Sequence, residues 1–154
     1  MALKSDRQVD AVELGYFLNA TASQGVVVSK STSGSGVAME DTANLLQVSS
    51  TSSGVYPVGM LLTEVVNLDL TRTPINWHKD QVQVGSKVTV MTKGWAVTDQ
   101  ISGTPTVNSF AVLGSSGVVT TYTATTWTQE VNPKVGKFRT LKDADGYARV
   151  YVDL

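Results

Sequence analysis

A single histidine, His78, and no cysteine set the first limit on the chemistry open to this chain of 154 residues. His78 lies in the run Ile75-Asn76-Trp77-His78-Lys79-Asp80. A catalytic histidine needs a nucleophile within reach and a third group to orient it, and a serine of the hydrolase kind needs a strand–turn–helix elbow. Ser and Asp abound, but no such elbow is written around any serine. The local reading of His78 is a packed or interface side chain beside Trp77. Without cysteine there is no thiolate catalysis, no disulfide staple and no Cys-based zinc site. Asp143-Ala144-Asp145-Gly146 begins like a calcium loop, yet the chain then runs straight into Tyr147 and an alternating segment. A full calcium loop would supply further acidic ligands and a closing Glu at those positions. The Asp-Gly pair is what a hairpin turn demands, since Gly accepts positive φ and Asp tolerates turn geometry. Glu13, Glu40, Glu64 and Glu130 stand apart, so no glycosidase pair forms along the sequence. No phosphate-cradling glycine motif occurs. Trp77, Trp95 and Trp127 could stack on a sugar ring, which keeps a glycan-binding module as an alternative, although tryptophan more often fills a core or an interface. The expectation is a chain with no enzymatic activity, no metal and no cofactor.

Elements that could position such residues are β-strands. Hydrophobic residues make up 42% of the chain, enough for a core, while charged residues are only 16%. Val and Thr are prominent, and both are β-branched and suit a pleated, half-buried surface. The formal net charge is −1. The densest group of Lys and Arg, near the C-terminus, is interleaved with Asp143, Asp145 and Asp153, which argues against a phosphate-binding face and against direct contact with nucleic acid. The polar start of the chain is not followed by a signal-type apolar run, and the longest apolar stretches, at 25–28 and 58–62, are too short to span a bilayer. A soluble protein without a cleaved signal and without a membrane partner is expected.

Residues 9–18 fit either helical or strand spacing, with Gly15 against a helix, and are read as extended. Short strands are expected at 25–29 and 45–48, and one helical turn at 39–44. Small polar loops fall at 31–36 and 49–54. A buried strand is expected at 59–66, with alternation continuing through 68–72 and a break at Thr73-Pro74. Residues 87–93 alternate strictly, and Gly94 before 95–98 predicts a bulge or corner. Gly114-Ser115-Ser116-Gly117 joins 110–113 to 118–121 as a hairpin, and 143–146 joins 137–141 to 147–152 as another. In the last strand Ala148, Val150 and Val152 face one way, and Arg149, Tyr151 and Asp153 the other. The whole predicts an all-β fold: a small β-barrel or β-tulip-like domain built from about residue 45 onward, with an extended N-terminal arm.

Three segments together resemble a known family. They are Pro57-Val58-Gly59-Met60-Leu61-Leu62-Thr63-Glu64 through Asn67-Leu68-Asp69-Leu70-Thr71-Arg72; Ile75-Asn76-Trp77-His78-Lys79-Asp80 through Lys93-Gly94; and Val135-Gly136-Lys137-Phe138 through Asp143-Ala144-Asp145-Gly146 to Val152. They are similar to the head decoration, or cement, proteins of tailed bacteriophages, and the similarity covers roughly residues 10–154. The resemblance implies a compact β-domain on the outer capsid surface of the virion, made in the host cytoplasm. It implies the major capsid protein as partner and self-association as a homotrimer. It also implies an arm, residues 1–24, that runs over the shell or adds a strand to it, before a single β-rich domain at 25–154. On that basis Val12, Leu14, Tyr16, Phe17 and Leu18, with Val26, Val27 and Val28, are candidates for capsid contact. Arg72, Trp77, His78, Lys79, Trp127 and Tyr151 are candidates for interfaces. Near-zero net charge and few Lys and Glu suit close-packed copies. Bridging two shell subunits lets modest contacts suffice. Another virion β-domain, at the head–tail junction or a fibre base, is the nearest alternative.

Overall fold

The computed structural model of the chain describes residues 3–31, 44–62, 67–68, 78–79, 81–122 and 131–154, and among these described residues alternating β-branched residues and glycine-rich turns produce twelve strands. In chain order they are β1 (Leu3–Leu18), β2 (Val27–Lys30), β3 (Leu45–Gln47), β4 (Pro57–Leu61), β5 (Asn67–Leu68), β6 (His78–Lys79), β7 (Lys87–Thr98), β8 (Ile101–Ser102), β9 (Phe110–Leu113), β10 (Val119–Thr121), β11 (Lys134–Phe138) and β12 (Ala148–Asp153). A 3-10 turn at Ser115–Gly117 lies inside the expected β9–β10 hairpin, and Asn44, just before β3, is also 3-10. The fold is therefore all-β, as the composition predicts. The expected helical turn at 39–44 lies outside the described residues except for Asn44. The second half of the expected 59–66 strand, the break at Thr73-Pro74, and most of 68–72 lie outside them as well.

The order β1-β3-β2-β4-β7 closes on itself because β7 also pairs with β1, giving a five-stranded mixed barrel. All its pairings are antiparallel except β1 with β3, where Phe17 and Leu18 lie beside Leu45 and Leu46. β7 is the hub. Along one edge it pairs with β1, from Leu3↔Thr98 to Phe17↔Lys87. Along its other edge it pairs first with β4, at Met60↔Met91, and then with β12, from Asp153↔Lys93 to Ala148↔Thr98. From β12 the sheet continues outside the barrel as β11-β9-β10-β8.

Period-two alternation sorts the apolar side chains into two cores on opposite faces of these shared strands. Leu18, Ala22, Val26, Val28, Leu46, Leu61, Val82, Val88 and Val90 fill the barrel. Val27, Met60 and Met91, the immediate neighbours of barrel residues, point the other way. There they meet Ala111, Leu113, Val119, Val135, Phe138, Ala148, Val150 and Val152 from the outer sheet. At Gly94, the expected corner, the β1–β7 register shifts between Val9 and Ala11. The backbone of β1 passes so close that a Cβ there would lie 2.3 Å from the Gln8 carbonyl oxygen, and φ is +139°. Only glycine fits both conditions.

Two expectations change. Residues 3–18 are extended, but they do not reach away from the domain: they are the longest strand of the barrel, docked along β7 with Leu3 and Leu18 fully buried. The barrel accordingly begins well before residue 45. Val26, Val27 and Val28 are also buried, at 4%, 1% and 0% exposure, because β2 lies between β3 and β4 with a core on each face. Those three residues and Leu18 are structural and cannot touch a partner while the fold is intact.

Candidate binding face

The outer sheet has one dry face and one wet face, and the registers align a row of side chains on the wet one. Gln8 of β1 lies opposite Trp95 of β7, Trp95 opposite Tyr151 of β12, Tyr151 opposite Lys137 of β11, and Lys137 opposite Phe110 of β9. Directly opposed residues of antiparallel strands share a face. With strands ~4.8 Å apart, the row is about 19 Å long. The partners of this row on the dry side, Ala96, Ala111, Phe138, Val150 and Val152, are fully buried, which is why the row itself must face out.

Each aromatic ring in the row carries a cation. The Arg149 guanidinium lies 3.9 Å from the centre of the Trp95 ring, and that of Arg139 lies 5.1 Å from the Tyr151 ring. The ammonium groups of Lys137 and Lys134 lie 5.3 and 5.6 Å from the ring of Phe110, which is 45% exposed. At one end Arg149 Nη2 meets Asp6 Oδ2 at 3.3 Å, and Trp95 Nε1 donates to Gln8 Oε1 at 3.3 Å. Lys93 and Asp153 form a looser pair at 3.9 Å. Among the described residues no carboxylate lies within ion-pair distance of Lys134, Lys137 or Arg139. Exposed cation–π pairs contribute about 0.5–1 kcal/mol each, enough to hold the cations over the rings and present them together.

The other candidates scatter. Tyr151 is in the row. Val12 and Leu14 on β1 are exposed, at 44% and 70%, and Tyr16 and Phe17 are half-buried. The Tyr16 hydroxyl donates to the Glu13 carboxylate, and the Lys30 ammonium lies 4.2 Å from its ring. That hydrogen bond, with lesser contributions from burial and the Glu13 charge, pushes the Tyr16 phenol up to about 12. His78 and Lys79 form the two-residue β6, paired with β5 through Leu68↔His78 and Asn67↔Lys79. Arg72, Trp77 and Trp127 lie outside the described residues. Trp95 has one ring face covered by Arg149, which leaves little room there for a stacked sugar.

The Asp143 turn closes on itself. Asp143 Oδ1 accepts the backbone N–H groups of Tyr147 and Asp145 at 2.7 and 3.1 Å, and Oδ2 accepts Lys4 Nζ at 3.3 Å. A cation would have to displace these donors, so the turn holds the β11–β12 hairpin. Among the described residues no three His, Asp or Glu side chains gather as metal ligands. A shallow recess lined by Ser102, Gly114, Ser115, Val118 and Thr120 holds no titratable group.

Of the row, Tyr151 and Trp95 stand out in the sequence, the first as an interface candidate and the second as a possible sugar-stacking ring. Arg139, Arg149, Lys134 and Lys137 read there as charges diluted by aspartates, because pairing partners come from strands far apart in the chain. The available signal is parity: the alternation in 93–97 and 147–153 puts Trp95 and Arg149 on outward positions. No protein-family model matches the chain, and no curated protein matches it significantly.

Proposed function

We propose that this chain is a structural protein of a tailed-bacteriophage virion. It binds the outer surface of the capsid as a homotrimer and cements neighbouring major capsid protein subunits, stabilising the expanded head. The family rests on the resemblance in the three segments around residues 57–72, 75–94 and 135–152. The observation that carries the binding role is the aromatic and cationic row from Trp95 to Phe110, displayed on a sheet backed by a filled core. Side chains also fill the barrel interior, so the described residues offer a firm body with a contact surface. Exposed Val12 and Leu14 on β1 supply a second, apolar contact.

The test is addition of purified protein to expanded, empty heads that lack it. Cosedimentation at a fixed copy number per particle, and a raised temperature of head disruption, are expected. Heads that neither take up the protein nor gain heat resistance would refute the proposal.

A further inference from the structure

We infer that the row from Trp95 to Phe110 is a docking site for an acidic peptide segment, which, resting on the function proposed above, belongs to the shell protein. The argument is charge complementarity on a shaped surface. Lys93, Lys134, Lys137, Arg139 and Arg149 stand on this face with Asp6, Asp10 and Asp153 against them, Asp10 held by the side-chain amide of Gln8. That is a surplus of two positive charges on a chain whose formal net charge is −1, so the rest of the molecule carries a net −3. The charge is therefore segregated. A surface whose only task were solubility would intersperse the signs.

The three cations with no carboxylate partner among the described residues, Lys134, Lys137 and Arg139, all lie at the β11–β9 end of the row. Arg149 at the other end already has Asp6 as its ion-pair partner through Nη2. The attractive end for an anion is thus defined, and the aromatic rings beneath supply contact area at low entropy cost. Carboxylates on an extended segment recur at alternate positions about 7 Å apart. Lys137 and Arg139 are themselves two residues apart in the chain, the same alternate spacing. The Arg139 guanidinium can accept a carboxylate in bidentate fashion, whereas the lysines act as point charges.

The experiment compares wild type, the triple variant K134E/K137E/R139E and the control K87E, which reverses an exposed cation elsewhere on β7. Circular dichroism and melting temperature establish that all three fold. Two readouts are taken: binding to poly-L-glutamate against an oligothymidylate of equal charge, and uptake by expanded empty heads across a salt series. Expected are salt-sensitive binding to poly-L-glutamate and a loss of roughly tenfold or more in the triple variant. Head uptake should fall in parallel, with K87E like wild type. Wild type that fails to bind poly-L-glutamate, binds the oligothymidylate more tightly, or loses nothing on charge reversal overturns the inference. Head uptake that is equal in wild type and triple variant also overturns it, while leaving the proposed function standing. Wild type that binds poly-L-glutamate at this face but does not enter heads overturns the proposed function, and the acidic-segment site stands without its assignment to the shell.

Discussion

Asp143 illustrates how one side chain can fix a hairpin. Its carboxylate takes the N–H of Tyr147, which does most to hold its pKa below the ordinary 3.8, and then Lys4 and the N–H of Asp145 add to the effect. A carboxyl whose folded pKa is depressed contributes stability that is present above its unfolded pKa and is lost as pH falls through the folded value. D143N should therefore melt below wild type at neutral pH, and the gap should close as the solution is acidified below pH 3.8. A gap that persists unchanged in strong acid would show that packing, not charge, makes the difference. Tyr16 runs the opposite way. Its phenol is raised to about 12 from 10.0, chiefly by donating to Glu13, so its contribution is complete below pH 10 and drains away between 10 and 12. A spectrophotometric titration should show one late-ionising phenol that Y16F abolishes. If the phenol lost in Y16F is one that ionises near 10.0, the Tyr16–Glu13 hydrogen bond does not persist in solution.

At the level of elements, the barrel and outer sheet depend on close approaches between strands. A Cβ at Gly136 of β11 would stand 1.8 Å from the Tyr151 carbonyl oxygen, inside the ladder that carries the binding row. G136A must push β11 off β12, at a cost of roughly 3 kcal/mol or more. Gly54, with open space around it, should cost less on the same change, only the strain of its positive φ. Denaturant midpoints of the two variants, at unchanged slope, decide the matter; equal midpoints would show that the strands are not held so closely. How much of this was legible follows from the range of each signal. The β11–β12 hairpin, the β9–β10 hairpin and the alternation of β7 are local, so turn chemistry and parity reveal them. The docking of β1 along β7 joins residues some eighty apart, and nothing in the run 3–18 says that its partner is its own chain. For the same reason Val26, Val27 and Val28, which read as part of a short strand and become capsid-contact candidates through the resemblance, give no sign of being buried: alternation reveals one buried face, and a strand buried on both faces shows only a continuous apolar run. The binding row was hidden similarly, since a register across five strands is invisible until the strands are ordered.

Across the whole molecule, β7 makes the two cores interdependent. Val88 and Val90 are in the barrel core, while Met91 and Ala96 of the same strand are in the other. Losing either core exposes one face of β7 and frees the strands that pair with it on both edges. A chain of this size with a shared central strand should unfold in one step, unlike two domains joined by a linker. L18A, in the barrel, and F138A, in the outer core, remove fully buried side chains. They should cost about 2–5 and 3–5 kcal/mol respectively. Both should lower one common midpoint, seen alike by far-ultraviolet circular dichroism, tryptophan fluorescence and calorimetry. Two resolved transitions, with each substitution moving only its own, would mean that the barrel and the outer sheet are separate units. The binding row, which draws Gln8 and Trp95 from β1 and β7 and its remaining residues from the outer sheet, would then straddle a joint instead of lying on one rigid surface. One transition instead means that a load applied at the row is resisted by both cores together, as the proposed cementing role would require.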